Sequence, residues 1–164
     1  MSTDDPTYAA RCRAQGYALV VAFLFLIIGV LGFVPGLTSN YSTIVQMGSD
    51  SHAHLLGLFQ VSAVHNAVHL AFGAVGVVAA HRLVWSRVYL LAGGCFYLGL
   101  AAYGMLIDHH SAANFLPVNN AGNWLHVALG AVMVLLAVDP RGKQRQLLPG
   151  KRPPRRRLPR PRRG

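Results

Sequence analysis

Four stretches of this chain, residues 16–34, 61–80, 88–107 and 123–138, contain no Asp, Glu, Lys or Arg. No other feature limits the possible folds as strongly. A helix that crosses a bilayer needs roughly 20 predominantly apolar residues, within a range of about 17–25. The first three stretches reach that length alone, and the fourth does so if it begins near Asn120. Charged residues make up only 12% of the chain, against about 25% in a typical soluble domain. A soluble bundle with buried helices rarely places four uncharged runs in so short a chain. The sequence therefore predicts an all-α membrane protein with spans of about 16–34, 61–80, 88–107 and 120–138.

The basic residues carry a second, independent signal. All fifteen Lys and Arg fall in three places: Arg11 with Arg13, Arg82 with Arg87, and eleven residues between Arg141 and Arg163. The connections 35–60 and 108–122 have none. Four spans put the three basic places on one side and the two uncharged connections on the other. The positive-inside rule then predicts a multi-pass membrane protein with both termini cytoplasmic. The first apolar run is too long for a signal-peptide core, and no small-residue cleavage site follows "GFVPGLTSN". It reads as a retained helix. Cys12 and Cys95 lie too far apart in this layout to pair, and both read as free thiols.

The organisation is thus a cytoplasmic lead (1–14), a four-helix transmembrane domain (15–140) and a tail (141–164). The tail holds eleven basic residues, five prolines and no acid. Without it the chain has four basic and five acidic residues, so the formal +10 belongs to the tail. Blocks of like charge and repeated proline predict a disordered segment. Beside a cytoplasmic leaflet its expected partner is anionic lipid. No aromatic residues interleave for base stacking, which argues against nucleic acid. "HLLGLFQV" (54–61) is apolar enough for a short surface helix or for the start of the second span.

Residues 66–75 read "NAVHLAFGAV" and residues 123–132 read "NWLHVALGAV"; six of the ten positions are identical. Asn and His are rare in spans and are seldom placed there without a purpose. Helical spacing aligns Asn66 with His69, sets His65 one turn earlier and Gly73 one turn later, and continues the small side at Gly76. In the fourth helix Asn123, His126 and Gly130 repeat the pattern. Each helix carries a polar cap above a glycine notch, and small residues of this kind let neighbouring backbones approach. Helices one and three share a looser echo, Tyr17 with Tyr89 and Gly32 with Gly104. The expected architecture is two helical hairpins of the same orientation, a parallel internal repeat. If the motif helices face each other, Asn66, His69, Asn123 and His126 form one cluster.

On "GVLGFVPG", "LLGLFQVSAVHNAVHLAFGAVGV", the Tyr- and Gly-rich third helix and "NNAGNWLHVALGAV", the chain resembles the four-helix bacterial membrane proteins grouped as domain of unknown function 4383, common in actinobacteria. The resemblance covers roughly residues 14–138 and is most specific at the HNxxH and NxLH helix starts. Where the family carries an acidic residue just before the Asn of the fourth helix, this chain has Gly122. The resemblance implies a fold and a membrane location, and no activity.

The first functional expectation is non-catalytic: Asn and His hydrogen-bond across the bundle near the outer face and fix helix register. The alternative is a metal or haem site. Seven of the eight histidines lie on the outer side, and His65 and His69 have the i, i+4 spacing that brings two imidazoles to one ion. His126 supplies a third ligand for Cu or Zn, or pairs with His69 on a haem. Small-molecule transport ranks lower, because no intramembrane charge is present to couple an ion. Catalysis ranks lower still, since Asp50 and Asp108 are the only outer carboxylates. The remaining glycine faces allow a homo-oligomer.

Overall fold

The computed structural model describes residues 6–139, with side chains from residue 13 onward. The first five residues, the side chains of Arg11 and Cys12, and the basic tail expected to be disordered lie outside the described residues. The described residues form four α-helices: α1 (Pro6–Leu31), α2 (Ala63–Ala79), α3 (Leu83–Leu106) and α4 (Asn120–Ala137). Helices α1, α3 and α4 each contain a segment long and apolar enough to cross a membrane; α2, with 17 residues, is apolar but shorter.

Helix α1 stops at Leu31, short of the expected residue 34. Pro35 disfavours helical backbone before it. The Thr38 hydroxyl, almost fully buried, sits 3.3 Å from the carbonyls of both Leu31 and Gly32, where the last turn needs a donor. At the opposite end of the molecule the chain turns from α2 into α3 within residues 80–82, so α3 begins at Leu83 rather than Val88. Ser86 Oγ lies within hydrogen-bonding distance of the Ala79 and Arg82 carbonyls across that turn.

The segment 54–61 is neither a surface helix nor part of α2. It forms a β-hairpin, β2 (His54–Leu55) and β3 (Phe59–Gln60), with β1 (Thr38–Ser39) adding a third antiparallel strand on β2. Leu56 and Gly57 both have positive φ, and Leu58 N–H closes the turn onto the Leu55 carbonyl. A type I′ turn requires this geometry, and Gly57 supplies half of it freely. The turn tips the apolar Leu55 inward, where it packs with Ala53 and Val61 against Ile28 and Leu31 of α1.

Helix α1 packs along α2 and α3 along α4, while contact between the two pairs runs mainly through α1 and α3. Close approach depends on glycine. A Cβ on Gly73 would lie 2.7 Å from Leu26 Cγ and 2.8 Å from the Ala22 carbonyl oxygen of α1. A Cβ on Gly130 would lie 2.8 Å from both Leu98 Cγ and the Gly94 carbonyl oxygen of α3. Gly76 instead receives the Tyr89 ring.

Both motif helices are capped alike. Ser62 Oγ accepts from His65 N–H at 3.2 Å, and Asn119 Oδ1 accepts from Gly122 N–H at 2.9 Å. Ser62 is fully buried, so Ser62→Ala leaves its donor without a substitute. The expected loss is about 1–2 kcal/mol of stability, read from thermal unfolding.

The outward surface is apolar. Val20, Ile27 and Val30 on α1, Val78 on α2, Val84 and Leu106 on α3, and Leu135 on α4 are all more than half exposed. A soluble monomer rarely leaves so much contiguous apolar surface uncovered. Trp85 and Trp124, near opposite ends of the bundle, are exposed as well.

Candidate metal centre

The asparagines and histidines of the two motifs separate. Asn66 is buried against α1, its amide filling the space beside Gly32, where even a methyl group would collide with it. Asn123 fills the corresponding space beside Gly104 of α3. The four polar residues therefore do not meet in one cluster: each amide faces its own hairpin partner, because a glycine there leaves a recess of amide size. Among the described residues, neither Asn66 Nδ2 nor Asn123 Oδ1 has a hydrogen-bond partner. Asn123 Nδ2 lies 3.4 Å from an imidazole nitrogen, but that of His109 rather than His126.

The imidazoles turn instead toward the space between hairpins. His65, His69 and His126 each offer a ring nitrogen, and these atoms lie within 4.8 Å of one another. The His65 and His69 rings stack at 4.8 Å between centroids with 11° between planes, as their i, i+4 spacing allows. His126 reaches in from α4, its ring 6.2 Å from that of His65. Among the described residues these three form the one group with metal-ligand spacing. His52, His54, His109 and His110 surround a separate polar pocket of about 450 Å³, and His81 sits at the α2–α3 turn.

The polar surroundings decide which nitrogens are available. His65 Nδ1 is 3.2 Å from the Pro117 carbonyl, and His69 Nδ1 is 3.0 Å from the His65 carbonyl. A carbonyl only accepts, so each Nδ1 must carry the proton and each Nε2 keeps a free lone pair. Metal-binding histidines are held in this way, by a hydrogen bond from the nitrogen that does not ligate. Among the described residues, Nδ1 of the nearly fully buried His126 has no hydrogen-bond partner.

Neighbouring residues fix these rings. Tyr97 of α3 meets His126 edge-on at 5.3 Å, and Phe25 of α1 lies 5.6 Å from His69 and 5.0 Å from Tyr97. The Pro117 carbonyl is presented by a loop stapled through buried Asn114, whose amide spans the His109 and Val118 carbonyls and accepts from Val118 N–H. Sequence reasoning missed Phe25, Tyr97, Asn114 and Pro117. An Asn two residues before "LP" was the one local hint of a structured turn.

An apolar cavity of about 210 Å³ opens beside the three imidazoles, walled by Ile28 and Leu31 of α1, Leu55 and Phe59 of the β-hairpin, and Gly122 and Leu125 of α4.

The fold and site define a predominantly helical protein, compatible with a membrane, that carries three converging imidazoles near one end. The chain belongs to the family described as "Domain of unknown function (DUF4383)", whose sequence model matches residues 15–138. No curated protein and no solved structure matches it.

Proposed function

We propose that this is a multi-pass membrane protein with four spans, built from two like-oriented hairpins, and that it holds a late first-row metal ion at His65, His69 and His126 beneath the outer face. The observation that carries the metal reading is the convergence of three imidazoles, two with Nδ1 committed to backbone carbonyls. An ion at about 2.0–2.1 Å from each nitrogen requires the rings to close by roughly an ångström. Neutral imidazoles without thiolate or carboxylate suit Zn or Cu. The packing alternative keeps the amides as register locks inside each hairpin. It accounts for the Nδ1 hydrogen bonds of His65 and His69 and gives no role to the free nitrogens that converge. Haem fits less well, because His65 stacks on His69 where a macrocycle would need a flat slot.

Membrane insertion of α2 is supported by its apolar outer face and by the basic residues Arg82 and Arg87 beyond its end. Its 17 residues rise about 26 Å, a few ångströms short of the hydrocarbon thickness. Its polar first turn and the β-hairpin above it lie where the bilayer is already giving way to headgroups. The repeat is supported by equivalent contacts: Asn66 on Gly32 and Asn123 on Gly104, Gly73 on Leu26 and Gly130 on Leu98. Cysteine-accessibility labelling in intact cells tests the layout. Positions 49 and 110 should react from outside, and position 82 and both ends only after permeabilisation. Opposite sides for the two ends would reject four spans.

Metal analysis of protein extracted without chelators is the direct test, with an expected stoichiometry near one ion per chain. Ligation needs deprotonated imidazole, so acidification should release the ion and return to neutral pH should restore binding. Release that ignores pH would point away from histidine. The basic tail is proposed to bind anionic lipid, and its vesicle binding should fall as salt rises.

A further inference from the structure

We infer that the metal site has an open face that receives a small, largely apolar molecule, one ring in size, bearing a single nitrogen or oxygen donor for the ion. The inference rests on the metal reading above and goes beyond it in naming what else binds.

Three protein ligands leave a tetrahedral ion one further position. The chain's own symmetry shows why there are three. Ser62, His65 and Asn66 occupy the cap, third and fourth positions at the start of α2; at the start of α4 the same places hold Asn119, Gly122 and Asn123. Gly122 therefore stands where the first hairpin places an imidazole, and it contributes cavity wall instead of a ligand.

The size and chemistry of that space limit the occupant. A cavity of about 150 Å³ lined by Leu, Ile and Phe binds benzene and stays dry. The cavity here is about 210 Å³, room for one ring and a donor group. Besides the histidines, its polar lining is Gln60, whose Nε2 is committed to the Ser49 and Ser51 carbonyls at 3.3 and 2.7 Å. Water filling the space would lack the two to four partners that ordered water requires. Among the described residues no charged side chain lines it, so the wall offers no partner for polar or charged groups held away from the ion. A phenol or an aromatic azole meets these conditions, as the neutral molecule or as its anion on the cation; a sugar or a phosphate ester, whose further polar oxygens would find no partner, does not.

The test uses the full chain in lipid nanodiscs loaded with Co²⁺, whose visible bands report coordination. 4-Phenylimidazole should shift those bands and bind about 10-fold or more tightly than imidazole, the difference being burial of the phenyl ring. Glucose should leave the bands unchanged. Leu125→Trp fills the cavity and should abolish the preference for the phenyl compound while cobalt still binds. Gly122→His supplies a fourth ligand one turn before His126; it should retain cobalt and block the band shift by either azole. Equal affinity for the two azoles, or a preference untouched by both variants, overturns the inference and leaves the metal site standing. A chain that takes up no cobalt through His65, His69 and His126 overturns both.

Discussion

Replacing His126 with Gln should lower the affinity for Zn²⁺ or Cu²⁺ by about 100-fold or more, the upper end of what even a residue beyond the ligands costs. His126 is the one imidazole supplied by the second hairpin, so without it the remaining pair sits on a single helix. Gln keeps hydrogen-bonding capacity and similar bulk, while its amide is a poor ligand at neutral pH. The packing alternative predicts the reverse pattern: metal content unchanged and the melting temperature lowered. Isothermal titration and thermal unfolding on the same preparation separate the two. Unaltered affinity in His126→Gln, together with unaltered affinity in His69→Gln, would reject the site.

The second large effect is a contrast of sign between two glycines. Gly130→Ala should destabilise the protein by about 1–3 kcal/mol, because the added methyl group meets the Gly94 carbonyl at 2.8 Å and Leu98 N at 3.0 Å. Both neighbours include backbone of a helix already in contact, which cannot step aside as a side chain can. Gly99→Ala, also in a helix interior, meets nothing within 4 Å and should stabilise by up to about 1 kcal/mol from helix propensity alone. Unfolding in a mild detergent by heat or denaturant reads both. Equal shifts in one direction would mean that close packing of α3 on α4 contributes little.

Much of this architecture can be read from the residues. The absence of charge from four stretches locates the helices, since an unpaired charge is costly in any apolar setting. The recurrence of Asn, His and Gly at helical spacing identifies the polar ends, and the i, i+4 pair His65 and His69 identifies two thirds of the proposed ligand set. The partner of each side chain is less accessible. Periodicity says which face Asn66 occupies but not that Gly32, just past the end of α1, leaves a recess to receive it. The apolar run at 54–61 is silent about its turn, because Leu56 is an unusual residue at positive φ and only Gly57 signals the reversal. The contribution of Pro117 depends on a loop organised by one buried amide, Asn114, contacts that are long-range from His65 and leave no periodic trace.

The three imidazoles straddle the seam between two bodies that are each tightly knit and only modestly joined to one another. An ion held there acts as a rivet. Occupancy and the angle between the hairpins are then linked reciprocally: whatever spreads the pairs loosens the ion, and the ion resists spreading by the same free energy. With the proposed site loaded in a bilayer, its thickness, lateral pressure or a neighbouring protein that leans on one hairpin would therefore act on metal occupancy from a distance, without touching a ligand.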